Sequence, residues 1–167
     1  MKLALDVHYR PAFAKAVSVA FADWQDATPV QVQTARIQTV AEYVPGQFYR
    51  RELPCLLEIL RQTPHEKIEL IIVDGYVQLN ETGKPGLGRH LYDALEGRIP
   101  IIGVAKKAYH TNAAHVRPVL RGRSQKPLFI TSVDYPLDEA AQRITAMPGK
   151  YRMPDLLRLL DQTTKQD

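Results

Sequence analysis

The sequence lacks the features that mark secreted, zinc-cluster and membrane proteins. It has one cysteine, Cys55, which excludes an internal disulfide bond and a cysteine-rich zinc site. No apolar run approaches the roughly 18 residues that a membrane helix needs, and Asp6 interrupts the first apolar run before a signal-peptide core forms. We therefore expect a cytoplasmic protein with no membrane segment.

The phosphate-binding glycine loops of nucleotide-binding proteins are also missing. Gly83, Gly86 and Gly88 stand in the wrong order for the dinucleotide fingerprint, and no Gly-Lys-Ser/Thr segment occurs. A Rossmann-type nucleotide binder is therefore a weak alternative.

The composition is that of an ordinary folded domain. The 167 residues are 45% hydrophobic and 24% charged, without an internal repeat, which predicts a single domain over residues 1–167. The formal net charge of +4 suits a polyanionic partner, but it suits ordinary solubility equally well.

The first forty residues predict three strands in a row. Short apolar or alternating runs cover residues 3–9, 16–24 and 30–40, with a turn over residues 25–29. The period then changes to that of a helix, with Leu53, Leu56, Leu57 and Leu60 on one face. Because Pro54 is tolerated only in a first turn or at a kink, we expect Glu52 close to the start of this helix.

The rest of the chain predicts strands joined by crossover helices. Continuous apolar runs at residues 68–73 and 99–105 are typical of buried strands, and residues 127–133 supply a further strand. Leu87, Leu91 and Leu95 predict a helix between the first two of these strands. A further helix is predicted from Pro136 to about Met147, and the apolar residues 156, 157 and 160 predict a terminal helix. This order predicts an α/β fold with an RNase H-like mixed sheet, in which three antiparallel strands are followed by parallel strands, flanked by helices.

Three carboxylates lie at positions that such a sheet brings together. Asp6 ends the apolar part of the first strand, Asp74 ends the strand beside it, and Glu52 lies on a helix packed on the sheet. Like charges at one point require protonation or a cation, and oxygen ligands suit Mg²⁺, with Mn²⁺ as the alternative. Such a centre predicts phosphodiester hydrolysis, although each residue taken alone is more often a turn, cap or helix-dipole residue.

Several segments resemble the endonuclease V family over nearly the whole chain. The most specific combination is Tyr-x-Pro-Gly followed closely by Arg-Glu, Val-Asp-Gly and Gly-Val-Ala-Lys. These segments are Asp6-Val7, Tyr43-Val44-Pro45-Gly46, Arg51-Glu52, Val73-Asp74-Gly75, residues 86–90, Gly103-Val104-Ala105-Lys106-Lys107 and Tyr151-Arg152-Met153-Pro154.

The resemblance implies a metal-dependent nuclease that nicks nucleic acid on the 3′ side of a deaminated purine, typically deoxyinosine in DNA. Inosine-containing RNA is the alternative substrate. By similarity, Asp6, Asp74 and Glu52 form the metal and catalytic site, and Lys106 contacts the reacting phosphate. Tyr43 and Pro45 belong to a wedge between bases, and Gly46, Phe48, Gly75 and His90 lie around the base pocket.

Extrusion of a base costs a few kcal/mol, least for a mispaired base, and stacking on an aromatic such as Tyr43 returns about 1–3 kcal/mol. The expected partner is nucleic acid, the expected state is a monomer, and no membrane is involved. The residues that we expect to follow phosphates are Arg50, Arg51, Arg89, Lys106, Lys107, Arg117, Arg121, Arg123 and Lys126.

The chain departs from the family pattern at a position expected to be catalytic. After Ser132 the family usually has Gly-His, whereas this chain has Val133-Asp134, so Asp134 is a candidate replacement as a fourth carboxylate, or a cap for the following helix. Glu42 and Gly88-Arg89 also differ from the usual residues. A protein that binds distorted nucleic acid without cutting it is therefore a second hypothesis, against which the retention of three acids argues.

Overall fold

The computed structural model describes residues 1–38, 48–109 and 113–166. Within these ranges the chain forms one mixed sheet. Its strands are β1 (Lys2–Tyr9), β2 (Ala14–Phe21), β3 (Gln31–Ile37), β4 (Leu70–Asp74), β5 (Ile101–Ala105), β6 (Arg117–Val119) and β7 (Leu128–Val133). They lie in the order β3-β2-β1-β4-β5-β7-β6.

The three predicted opening strands form an antiparallel meander. β2 pairs with β1 on one side and with β3 on the other. β2 ends at Phe21, three residues before the predicted end, because the Asp26 carboxylate accepts hydrogen bonds from the Ala22 and Asp23 amides and turns the chain. Trp24 lies in this turn and packs edge-on against Phe21.

Helices cover both faces of the sheet. They are α1 (Phe48–Leu60), α2 (Leu87–Ala94), α3 (Leu137–Ala146) and α4 (Asp155–Lys165). Leu56 and Leu91 of α1 and α2 bury against one face together with Leu3 and Leu5 of β1. Leucines of α4 and Ile144 of α3 bury against the other face, where Ala4 and Val17 also lie. Among the described residues, no helix is long and apolar enough to cross a membrane.

Helix α1 begins earlier than predicted. It starts at Phe48, so Pro54 lies in its second turn rather than its first, and Glu52 is the fifth helical residue. Because proline lacks an N–H group, the carbonyl of Arg50, four residues earlier, has no helical donor. The helix tolerates this loss because its apolar side, including Leu56, Ile59 and Leu60, is buried against the sheet.

Strand direction changes in the half of the sheet that follows β1. β4 and β5 run parallel to β1, as predicted for crossover connections. β7 instead runs antiparallel to β5, and the short edge strand β6 pairs with it as a hairpin. A three-residue edge strand in which only Val119 is buried carries no periodic signal, so β6 was not predicted.

Candidate active site

Two aspartates lie side by side at the end of the central strands. β1 and β4 are parallel and Leu5 is aligned with Val73, so the next residues on each strand are Asp6 and Asp74. Each residue is also paired with a second neighbouring strand, since Asp6 pairs with Val17 of β2 and Asp74 with Val104 of β5. The backbone register therefore fixes the separation of these two carboxylates.

Burial and repulsion disfavour the charged forms of both groups. Burial raises the pKa of Asp6 to about 7, with a further contribution from the charge of Asp74, while the Val7 amide stabilises the carboxylate by donating to Oδ1 at 2.9 Å. Burial also raises the pKa of Asp74, against the opposing effect of Lys106. The positive charge of Lys106 therefore offsets the burial and repulsion of this pair only in part.

A lysine and a fourth carboxylate complete this side of the site. Lys106, just after β5, places its Nζ 3.9 Å from Asp74 Oδ2 and 3.8 Å from Asp161 Oδ1. Asp161 lies on α4, and its Oδ2 is 3.1 Å from Lys165 Nζ. A small cavity of about 20 Å³ is lined by Asp6, Asp74, Lys106 and Asp161 together with apolar residues.

Sequence reasoning missed Asp161, although the helix carries a signal for it. Leu157, Leu160, Asp161 and Thr164 share one face at the i, i+3, i+4, i+7 spacing, and the other three are buried. An acid at a position where the period predicts a core residue is costly unless it serves a site.

Glu52 approaches the pair from the opposite layer. It lines a different pocket from Asp6, and it shares that pocket with Asp74. Burial, followed by the charges of Asp6 and Asp74, raises the pKa of Glu52 to about 8. The neighbouring Arg51 guanidinium lies 3.7 Å from the Tyr9 ring centre, which joins this turn of α1 to the end of β1.

These carboxylates lie around the end of β1 and β4 without forming a complete metal-ligand set. Among the described residues, no three His, Cys, Asp or Glu side chains are close enough to hold a metal ion together. The donor set still fits a hard divalent metal ion, because it offers only carboxylate oxygens. The Lys106 ammonium group lies within 4 Å of two of these carboxylates, Asp74 and Asp161.

Asp134 does not join this group. It follows β7, whose Val133 pairs with Ile101 at the start of β5, whereas Asp74 pairs with Val104 near its end. Three strand residues span about 10 Å, so Asp134 lies near the opposite end of the strands from Asp74. Its positive φ of 59° and the hydrogen bond from the Ser132 hydroxyl to the Tyr135 carbonyl identify it as a turn residue.

A larger pocket of about 340 Å³ adjoins Asp74. Its lining includes Tyr49, Glu52, Gly75, Tyr76 and Tyr109. Gly75 adopts a φ of +136°, which favours glycine, and its amide donates to the Val104 carbonyl, so it contributes shape to the pocket and not a free N–H group. The Tyr76 hydroxyl donates to the Lys107 carbonyl and fixes that ring in the wall.

The other residues predicted for the base pocket have different outcomes. His90 stacks on Tyr49, with ring centroids 3.6 Å apart, so it supports the wall from behind. Tyr43, Pro45 and Gly46 lie outside the described residues, and the Phe48 side chain is likewise outside them. Arg121, which we expected to follow phosphates, is buried with 4% exposure and cannot do so.

Comparison with known proteins places the chain in a family. The family model for endonuclease V matches residues 3–162. Endonuclease V of Thermus thermophilus is 31% identical over 86% of this chain and 72% of its own length. Endonuclease V of Streptomyces avermitilis is 32% identical over 87% of this chain and 76% of its own.

Solved structures agree with the sequence relatives. The crystal structure of human ENDOV superposes with a TM-score of 0.76 at 25% identity, covering 98% of this chain and 82% of the human chain. Endonuclease V from Ciona intestinalis, in complex with a 24mer DNA containing an inosine followed by a ribo-adenosine, superposes with a TM-score of 0.77 at 15% identity, covering 98% of this chain and 84% of its own.

The sheet order and its edge of carboxylates define a nuclease domain of the RNase H-like class. Within that class the chain belongs to the endonuclease V family, which confirms the predicted resemblance and fold class. It is a nucleic-acid endonuclease by family.

Proposed function

We propose that this protein is a Mg²⁺-dependent endonuclease that nicks DNA on the 3′ side of deoxyinosine. The observation that carries the proposal is the meeting of two features at Asp74. That residue belongs both to the carboxylate group and to the aromatic-lined pocket. A phosphate held at the carboxylates therefore has a pocket within reach for the adjoining base.

The residues divide the work by position. Asp6 and Asp74 are the proposed ligands of the cation, with Glu52 and Asp161 approaching from α1 and α4. A bound Mg²⁺ would polarise the reacting phosphate and lower the pKa of an attacking water. Lys106 offers its ammonium group to the negative charge that develops on the phosphate oxygens, and the same group lies between Asp74 and Asp161.

The larger pocket supports a role in base recognition. Its volume of about 340 Å³ lies in the range of small-molecule sites. The Tyr49–His90 stack and Tyr76 give it aromatic walls against which a purine can stack. DNA containing inosine is the ligand of the Ciona intestinalis relative, which agrees with this proposal.

A substrate panel tests the proposed function. Wild type and Asp74→Asn are incubated with a deoxyinosine duplex, inosine-containing RNA and undamaged controls, with and without Mg²⁺. We expect wild type to nick the deoxyinosine duplex only with Mg²⁺ and the variant to lose this activity. Preferential cutting of RNA would change the substrate assignment, and tight lesion binding without nicking by wild type would favour a binding protein instead.

The stability of the metal-free protein should fall as pH rises from about 4.5 to 8. The folded-state pKa values of Asp6 and Glu52 are raised to about 7 and 8, above the values of an unfolded chain, so the folded state holds more protons in this window. Those protons are lost as pH rises through the folded-state values, and charge repulsion then remains in the fold.

The measurement is the melting temperature in EDTA for wild type and Asp6→Asn across this window. We expect the variant to gain stability relative to wild type with rising pH, and Mg²⁺ to stabilise wild type more at pH 8 than at pH 5.5. A difference between the two proteins that stays constant with pH would contradict the assignment.

A further inference from the structure

We infer that the outer end of the β1–β2–β3 meander binds the phosphate backbone of the nucleic-acid strand leading away from the carboxylates. The surface consists of Arg10, Phe13, Lys15 and Arg36, here called the basic edge. This inference rests on the proposed function, because it takes the carboxylates as the place where the strand reacts.

The strand register places the basic edge next to the carboxylates. Asp6 is aligned with Val17 of β2 and Thr34 of β3. Two residues further along, His8 is aligned with Lys15 and Arg36. Side chains two residues apart share a face, with about 7 Å between successive rows and about 4.8 Å between strands. The row of basic residues is therefore the next row after Asp6 on the same face.

Helix α4 leaves this row uncovered. The helix packs over Val17 on the face that carries Asp6, and it ends at Lys165. The carbonyl of Gln166, the next residue, accepts hydrogen bonds from the Arg10 guanidinium and from Lys15 Nζ. Thr34 and Arg36 are exposed on β3 beyond this point. The result is an open groove of about 410 Å³ lined by the basic edge, Thr34 and Gln166.

The cations of the basic edge are held in place by an aromatic ring and a backbone carbonyl. The guanidinium groups of Arg36 and Arg10 lie 3.8 and 5.3 Å from the centre of the Phe13 ring, which orders both side chains. Within residues 1–38, 48–109 and 113–166, no carboxylate lies within 4 Å of Arg10, Lys15 or Arg36. Arg10 Nη1 is buried without a hydrogen-bond partner among the same residues.

Three other arginines of the chain are paired with carboxylates. Arg98 pairs with Glu96, Arg117 with Asp138, and Arg143 with Glu139. Two guanidinium groups and one ammonium group that pair with no carboxylate in the described part of the chain lie beside a nuclease site. They match the regular negative charge of a phosphodiester chain. Phe13 lines the groove, but two guanidinium groups already lie against its ring. This favours contacts with the phosphate backbone over stacking of a base on the ring.

Salt-dependent binding tests the inference. The test protein is Lys15→Gln/Arg36→Gln, and the matched control is Arg61→Gln/Arg98→Gln, which removes the same charge from exposed arginines that pair with Glu58 and Glu96. Dissociation constants for a fluorescent deoxyinosine duplex are measured in Ca²⁺ between 50 and 200 mM KCl, after melting curves confirm that both variants fold.

We expect the test protein to bind at least fivefold more weakly than wild type at 100 mM KCl. The slope of log Kd against log salt should fall by about 1.4 to 1.8, since each lost phosphate contact contributes about 0.7 to 0.9. The control should match wild type. Single-turnover nicking at saturating enzyme should change by less than twofold, because the basic edge lies outside the reacting group.

Nested substrates locate the contact along the strand. Duplexes are shortened in steps on the 5′ or the 3′ side of deoxyinosine. The difference in dissociation constant between the test protein and wild type should vanish when one flank is removed, and it should persist when the other flank is removed. Persistence with both flanks removed, or a salt slope equal to that of the control, would overturn the inference.

Two further outcomes separate the alternatives. Polyglutamate and an undamaged oligonucleotide are compared as competitors of the bound duplex. If polyglutamate displaces the duplex from wild type as effectively as the oligonucleotide does, but fails to displace it from the test protein, the basic edge binds acidic chains in general. The assignment to nucleic acid then fails. If wild type shows the expected salt and flank dependence but nicks no substrate, the proposed function fails while the binding surface stands.

Discussion

Asp6→Asn should reduce Mg²⁺-dependent nicking by about a thousandfold, while the protein stays folded. The substitution keeps the side-chain shape but removes one of the two carboxylates that the β1–β4 register holds together. Loss of a single preorganised charged group at a reacting centre typically costs a factor of about 10²–10³, and loss of a cation ligand adds to this. The measurement is the single-turnover nicking rate on a deoxyinosine duplex.

Asp134→Asn provides the matched control within the same chain. It makes the same chemical change near the opposite end of the strands, and asparagine also tolerates the positive φ of 59° found there. We expect this variant to retain activity within twofold. Equal losses in the two variants would mean that the grouping of carboxylates at the β1–β4 edge does not define the reacting centre.

Arg121→Met should destabilise the fold by about 3–5 kcal/mol, a typical cost of breaking a buried charged network. The guanidinium is buried, and it donates hydrogen bonds to carbonyl oxygens of the last turn of α3 and of the segment that follows it. The acceptors are Met147 and Tyr151 at 2.6 Å, Gly149 at 3.2 Å, Arg152 at 3.3 Å and Thr145 at 3.4 Å. Methionine fills similar volume but leaves these carbonyls without a donor.

Urea unfolding at pH 7 measures this effect, with Arg98→Met as the control. Arg98 is exposed and pairs only with Glu96 among the described residues, so its replacement should change the free energy of unfolding by less than about 0.5 kcal/mol. Arg121→Lys should recover little, because one ammonium group cannot reach acceptors spread over eight residues. A loss below 1 kcal/mol for Arg121→Met would show that water replaces the guanidinium.

The parts of the site that the sequence predicted are those fixed by backbone register. Asp6 and Asp74 end neighbouring parallel strands, and the carboxyl ends of such strands meet at one edge. An apolar run does not show the direction of its strand, so the antiparallel direction of β7 was not predicted. Asp134, which follows β7, therefore lies away from the position that we predicted for it. Asp161 was missed because the leucines around it already explain the helix.

The groups that surround the aspartates depend on packing rather than pattern. Glu52 comes from the opposite layer, and its approach to Asp74 depends on how α1 lies across the end of β1. The basic edge was missed for a related reason. Arg10, Lys15 and Arg36 are spread over 27 positions of the chain and become neighbours only through the pairing of three strands.

The position of β1 gives the two aspartates a different mobility from the helical acids. β1 is an interior strand that exchanges hydrogen bonds with β2 on one side and with β4, more than sixty residues away in sequence, on the other. Separating Asp6 from Asp74 requires opening the middle of the sheet, which is equivalent to global unfolding. Glu52 and Asp161 are held by side-chain packing of single helices, so local opening of one helix displaces its acid without separating the two aspartates.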